Sequence, residues 1–477
     1  MMDPLDAIPD GDVFAHAAAY AMRHRAGGPP AIPRGTRDEL RRAFCVPMSD
    51  EGRAPCAVID ELIAAAEPGL VGNTRGNFFA WVMGGSAPTG VAADWLTSVW
   101  GQNAAIFQTA PAAAVAEEAV AAWLLDLLDL PRDSSVGFVT GATMAGFVCL
   151  AAARTEVLRR AGHDFEAEGL HGSPKIHIFL SDDAHVSNTA ALRYLGFGES
   201  AIIRVPSDPQ GLMQVERLGE LVDLVSGPKI IISQAGHINS GGMEPFSRIA
   251  KIARAQGAWH HVDGAFGLWA RALPEMRDLV HGSEAADSWS VDGHKWLQVP
   301  YDSGFAIVRD SEAHRRAMAM SAAYLNRDEG DGRNPSEFNP ELSRRARGFA
   351  AWAVLRELGR SGVREMIRGH CRLAAMLAAR LDRLPGVSVL NDVRLNQVAI
   401  TLCDIPAEAR EAATVRLSSV LNEEFGQFVR PTIWMGQPVL RLSIISPATT
   451  QSEIEDLAEA IGLALRPQET MAANSRD

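Results

Sequence analysis

The stretch ADSWSVDGHKWLQVPYDSG, residues 286–304, places one lysine, Lys295, between His294 and Trp296 directly after a β-prone run. Lysine is normally a solvated surface charge, yet here Leu297 and Val299 follow it, and then a Pro300-Tyr301 turn. An ammonium in such surroundings loses hydration, which favours the free, nucleophilic amine. Taken alone, Lys295 is equally readable as a surface lysine whose stem snorkels along aromatic side chains.

Outward from this point the pattern alternates between short β-branched or aromatic runs and longer helical ones, the signature of a layered α/β domain. The runs at 136 (VGFV), 175 (KIHIFL), 201 (AIIRV), 229 (KIIIS), 258 (AWHHV), 287 (DSWSV) and 304 (GFAIV) read as strands. Helical text lies between them, including MAGFVCLAAARTEVLRRAG and EPFSRIAKIARAQGA. Residues 1–75 hold short helical pieces joined by Pro/Gly-rich connections, too small to bury a core, and read as an arm that packs on something else. Residues 76–345 form the large domain. Residues 346–477 begin helical and turn to strands at VSVL, QVAITL and VLRLSII, a smaller α+β domain.

Composition narrows the class. At 477 residues, 47% hydrophobic and a formal net charge of −13, the chain suits a large soluble core and disfavours a general nucleic-acid binder, so small-molecule partners are expected. The only basic block is Arg344-Arg345-Ala346-Arg347. Cysteines 45, 56, 149, 371 and 403 form no metal spacing and read as reduced thiols, which with the acidic N-terminal text and the absence of a membrane-spanning run gives a cytoplasmic expectation.

In open α/β sheets ligands bind outside the carboxyl ends of the strands. Four such ends carry unusual chemistry: Thr140-Gly141-Ala142-Thr143, His185, Asp263 and Lys295. A Gly-Ala-Thr entering a helix can offer backbone N–H groups and a hydroxyl to a phosphate. Singly each has a bland reading: a helix-capping histidine, an Asp-Gly turn, a small-residue helix start. Together they describe a site for pyridoxal 5′-phosphate. Lys295 would carry the aldehyde as a Schiff base and Asp263 would keep the pyridine nitrogen protonated. His185 would stack on one ring face and small Ala265 would leave room at the other. Gly141, Ala142 and Thr143 with His294 would fix the phosphate. His260 and His261 point to opposite faces of one strand and are read as structural, and no metal is expected.

The segments DAHVSNTAALRYLGFG, HVDGAFGLWA and DSWSVDGHKWLQVPYDSGFAIVRD resemble the pyridoxal phosphate-dependent group II amino acid decarboxylases, over about residues 70–450. The resemblance implies a fold type I enzyme with a mixed, mostly parallel sheet flanked by helices. It also implies an obligate homodimer whose N-terminal arm wraps the partner, and Lys295, His185 and Asp263 as catalytic residues. Trp81 in NFFAWVMGGSAPTG and Phe107 in GQNAAIFQTAP would line the substrate pocket, with Arg441 of LRLSIISP near the cleft. This apolar, aromatic lining favours a hydrophobic or aromatic L-amino acid.

Two departures stand out. The usual Asn-Pro before His-Lys is Asp292-Gly293 here, which puts an acid near the phosphate. The stretch 326–348, NRDEGDGRNPSEFNPELSRRARG, reads as a closing lid by its Gly, Asn and Pro content, but it lacks the tyrosine that protonates the reacting carbon in related decarboxylases. The tyrosine position falls at Pro335 to Phe338, and relatives with phenylalanine there are aldehyde synthases. Decarboxylation to an amine is therefore the first expectation. An aldehyde synthase, or other carbanion chemistry such as a lyase or transaminase, is the second, and a non-catalytic binder the third.

Overall fold

The computed structural model describes residues 11–27, 32–320 and 332–466. All seven runs read as strands lie in one sheet: β1 (Ser135–Val139), β2 (His177–Ser181), β3 (Ile202–Val205), β4 (Lys229–Gln234), β5 (Trp259–Asp263), β6 (Ser288–Asp292) and β7 (Gly304–Val308). Their order is β1-β7-β6-β5-β4-β2-β3. The pairs among β2 to β6 are parallel, whereas β7 runs antiparallel to both β6 and β1. β1, β5, β6 and β7 are buried along their whole length, the pattern of strands covered on both faces. The helix Ala142–Arg160 covers one face through Val148, Leu150 and Val157. The other core gathers Trp269, Trp289 and Trp296.

A second sheet, antiparallel throughout, follows in the order β10-β11-β9-β8, with β8 at Val387–Val389, β9 at Gln397–Leu402, β10 at Arg430–Trp434 and β11 at Gln437–Ser443. β10 is not evident from sequence because Pro431 interrupts its text; it lies at the sheet edge, where a strand tolerates a residue without an N–H. The helices Ala407–Glu423 and Gln451–Ala464 share a core with this sheet, and Phe79 joins it from upstream. The helix Gly348–Leu381 belongs to both bodies. Before a left-handed break at Gly359 (φ 57°) it places Ala351 and Val354 in the large core, and its last turns bring Leu373, Leu377 and Leu381 to the small one.

Of the stretch expected to act as a lid, residues 326–331 lie outside the described residues. Residues 332–348 are seated on β1 rather than poised over a cavity. Phe338 is buried, edge-on to His314 at 5.2 Å and under Arg333. Glu337 pairs with Arg315 at 3.0 Å, and Arg344 meets Glu117 at 2.7 Å and donates to the Phe138 carbonyl. The loop-like composition misleads here because burial and ion pairing over long sequence separations, which composition does not report, decide this segment. Upstream, the helices Arg37–Phe44 and Pro55–Ala66 bury none of their residues. Among the described residues no helix is long and apolar enough to cross a membrane.

Candidate active site

The carboxyl ends of β2, β4, β5 and β6 meet the N-terminus of the helix Ala142–Arg160 around a cavity of about 330 Å3. Its wall includes Gly141, Ala142, Thr143, His185, Asp263, Ala265, His294 and Lys295. Larger cavities lie elsewhere, two of them of about 610 and 640 Å3. The first is at the opposite strand ends, where Asp287 faces Arg160, Arg254 and Arg309, and neither contains a lysine. Volume does not single out the smaller cavity; the convergence of an amine, a carboxylate and two imidazoles at one wall does.

Lys295 is placed by what surrounds it in sequence. Trp296 is fully buried and donates from Nε1 to His370 Nδ1 at 3.0 Å, and His370 Nε2 reaches the Ser446 carbonyl at 3.1 Å. Gln298, at φ 62°, ties the same loop to the Ile445 carbonyl and to the amide of Gly85. With its neighbours anchored, Lys295 extends into the cavity, where its ammonium lies 2.9 Å from Asp292 Oδ2.

Asp263 ends β5 with one oxygen accepting from Asn188 Nδ2 at 2.8 Å and the other from the Ala265 amide at 3.2 Å. His185 caps the helix Val186–Tyr194; its amide donates to Gln234 Oε1 and its Nδ1 lies 2.7 Å from Ser187 Oγ. Burial pushes the His185 imidazole below its usual range, opposed by Asp263 and aided by Lys295 and Arg441. Burial does the same to His294, which stacks on Tyr301 at 4.2 Å. Nothing in the local sequence singles out Asn188 or Gln234. Asn188 stands three residues after His185 and Gln234 closes β4, so the strand-end rule covers both.

The approach of backbone to backbone here needs glycine. A Cβ on Gly304 would stand 2.5 Å from the Gly141 Cα, and one on Gly141 would stand 2.9 Å from His294 Cε1. The three remaining sequence candidates do not line this cavity. Trp81 is exposed and packs beside Phe78 and Phe428. Phe107 donates its amide to Asn334 Oδ1 and lies against Gly332. Arg441, on β11, makes only long contacts of 3.4 Å to the Ile238 carbonyl and Asn239 Oδ1, while its buried Nε has no hydrogen-bond partner. Burial lowers it to about 10. His260 and His261 bond Ser233 and Ser288 inside the sheet, and no cluster of metal-ligating residues occurs among the described ones.

The donor set fits pyridoxal 5′-phosphate in kind: an amine, a carboxylate oriented by Asn188, an imidazole, a small residue at Ala265, and helix-start amides with a threonine hydroxyl. Gln234 Nε2, buried at the same wall, has no partner. One element is altered, because the Ala142 amide expected to serve the phosphate donates to Asp292 Oδ1 at 2.5 Å.

Comparison with known proteins gives concordant matches. The family described as the pyridoxal-dependent decarboxylase conserved domain matches residues 46–403. An aromatic-L-amino-acid decarboxylase of Bacillus atrophaeus is 28% identical over 411 residues, covering 81% of this chain and 82% of that protein. A phenylacetaldehyde synthase of Arabidopsis thaliana is 26% identical over 416 residues, 84% of each. A crystal structure of Oryza sativa TDC with PLP and tryptamine superposes with a TM-score of 0.89 at 23% identity, covering 97% of this chain and 99% of that one.

Proposed function

The chain belongs to the pyridoxal-dependent decarboxylase family, and from that premise we propose that it removes the carboxylate of an aromatic or other hydrophobic L-amino acid, with Lys295 as the cofactor lysine. The observation that carries the reading is that Lys295, Asp263 and His185, from three separate strand ends, face one cavity. Pyridoxal 5′-phosphate, when bound, supplies an electron sink for the pair left as carbon dioxide departs.

The chain's own residues do the rest. Lys295 would hold the aldehyde end and Asp263 the proton on the ring nitrogen, fixed in aim by Asn188. His185 would cover one ring face and Ala265 leave space at the other. Gly141, Ala142 and Thr143 with His294 would hold the phosphate. Arg441, half-buried and without a carboxylate partner, would take the substrate carboxylate and set the angle of the bond to be broken. Trp81 and Phe107, absent from the wall of this chain's own cavity, would serve the site of a second copy. A homodimer is supported by the apolar face of the helix Pro88–Trp100, where Trp95, Leu96, Val99 and Trp100 are exposed, and by upstream helices that bury nothing. A cytoplasmic location belongs to the same reading.

The carbon that loses its carboxylate must receive a proton. His185 is a poor donor at neutral pH, since burial favours its neutral form. Stretch 326–348 holds no tyrosine. This favours a second product: an aldehyde, with the amino acid, dioxygen and water giving aldehyde, carbon dioxide, ammonia and hydrogen peroxide. Incubating the purified enzyme with a panel of amino acids and measuring amine, aldehyde and peroxide tests both. We expect slow amine formation from an aromatic substrate with measurable peroxide. No turnover of any aromatic or aliphatic amino acid would overturn the substrate class, and clean amine without peroxide in air would overturn the leak.

A further inference from the structure

Asp292 ends β6, three residues before Lys295, with its carboxylate almost wholly buried. One oxygen accepts from the Ala142 amide at 2.5 Å and lies 3.4 Å from His294 Nε2; the other lies 2.9 Å from Lys295 Nζ. These are the two points at which a phosphorylated aldehyde would be held: the amide at the start of a 19-residue helix, and the amine. A helix N-terminus draws anions, and here the anion already seated on it is the protein's own.

We propose that Asp292 is a built-in competitor for the cofactor, a carboxylate that must give up Lys295, and share or give up the Ala142 amide, as pyridoxal phosphate enters. The inference rests on the reading of Lys295 as the cofactor lysine. In loading, the Lys295 ammonium releases a proton to Asp292 or to water, its nitrogen adds to the aldehyde carbon, a C=N bond replaces C=O, and the oxygen leaves as water. Once its proton has gone, the nitrogen is no longer the full cation that balanced Asp292, and the carboxylate faces an incoming phosphate across one helix start. Besides Lys295 and His294, the His185 imidazole and the Tyr301 phenol also feel Asp292. Neither histidine supplies a steady counter-charge, since burial holds both below their ordinary range. The chain thus tunes its own cofactor affinity downward by like-charge opposition.

The test is Asp292→Asn, which keeps an acceptor for the Ala142 amide and removes the charge. Cofactor-free wild type and variant are titrated with pyridoxal phosphate, pyridoxal and inorganic phosphate, followed by tryptophan fluorescence and, for the aldehydes, by the visible band. We expect the variant to bind pyridoxal phosphate and inorganic phosphate about tenfold more tightly. The visible band should also grow faster with both aldehydes, because the amine is no longer ion-paired. A gain of affinity is not what loss of a merely structural residue produces. A folded variant with equal or weaker affinity for both phosphates overturns the proposal. If Asp292→Asn does not fold, Asp292→Ser takes its place: tighter binding of both phosphates supports the proposal, and equal or weaker binding overturns it. A visible band that survives in the Lys295→Ala variant overturns the cofactor-lysine reading instead, so the two failures are distinguishable.

Discussion

The cavity beside Lys295 and the seat of residues 332–348 on β1 both hold opposite charges in contact, and they differ in what surrounds them. In the seat, Arg344 and Glu117 meet at 2.7 Å with side chains 0% and 1% exposed, roofed by packing. At the cavity, Lys295 and His294 keep 19% and 12% of their side chains open beside buried Asp292. A pair sealed on all sides fixes shape. A pair with an open side can exchange its partner for a ligand, and only there is chemistry available. Variants on the cavity side should therefore lose turnover and keep the fold, and variants in the seat should do the reverse.

The largest effect is expected for Lys295→Ala, a loss of at least about 10⁴-fold in kcat in a protein that still folds. Persistence of the visible band in that variant would move the cofactor to another lysine. Asp263→Asn should cost about 10² to 10⁴ in turnover and weaken cofactor retention. Asn188→Ala, which only frees the carboxylate to turn, should cost less; equal losses would make Asn188 more than an orienting residue. On the other side, Glu117→Gln leaves Arg344 buried without its partner and should destabilise by about 3–5 kcal/mol in denaturant titration. The folded fraction should keep its kcat, and a loss of kcat would join the seat to the chemistry.

A smaller effect follows from pH. Burial pushes His314, beside Phe338, down to about 3, with His260 at about 3 and His261 and His370 at about 4, all from 6.5. Below the unfolded value the unfolded chain binds protons that the folded chain refuses. Stability is thus full above about pH 6.5 and falls as the solution is acidified toward the folded values. His314→Asn should remove one proton from this dependence, making the acid limb shallower by about 1.4 kcal/mol per pH unit. The smallest effect expected is that of Phe338→Tyr on product. Since Phe338 is buried in the seat, the amine-to-aldehyde ratio should not change, and a rise in amine would mean that the segment leaves its seat during turnover.

What the sequence makes legible follows the same division. The seven strands of the large sheet and the residues at their ends announce themselves locally, through β-branched runs followed by Asp263, His185 or Lys295, because a strand end has a fixed place relative to the sheet edge. Asn188 and Gln234 obey that rule too, but an amide carries no charge to mark it. Asp292 stands out in the sequence as an acid in an unusual place, and its bond to the Ala142 amide becomes visible only in three dimensions. The edge strand carrying Pro431 and the seat of Phe338 escape a sequence reading for one reason. Their conformation is decided by what packs against them, from Leu440 in one case and from Glu117 and His314 in the other, and such partners leave no mark in the neighbouring text.

The reversed direction of β7 has a consequence for how the molecule acquires its site in time. Because β7 runs against β6, it is the beginning of the strand, Gly304, that lies against Gly141, and the bond from Ala142 to Asp292 closes across 150 residues of chain. Contacts of such high order carry a large loop-closure cost and form after local helices and neighbouring parallel strands. The proposed phosphate cradle, whose Gly141 lies against Gly304, should therefore not assemble in a nascent chain that stops short of residue 308, however well its earlier strands have paired. Cofactor added during refolding should associate in the last kinetic phase, leaving the earlier ones untouched.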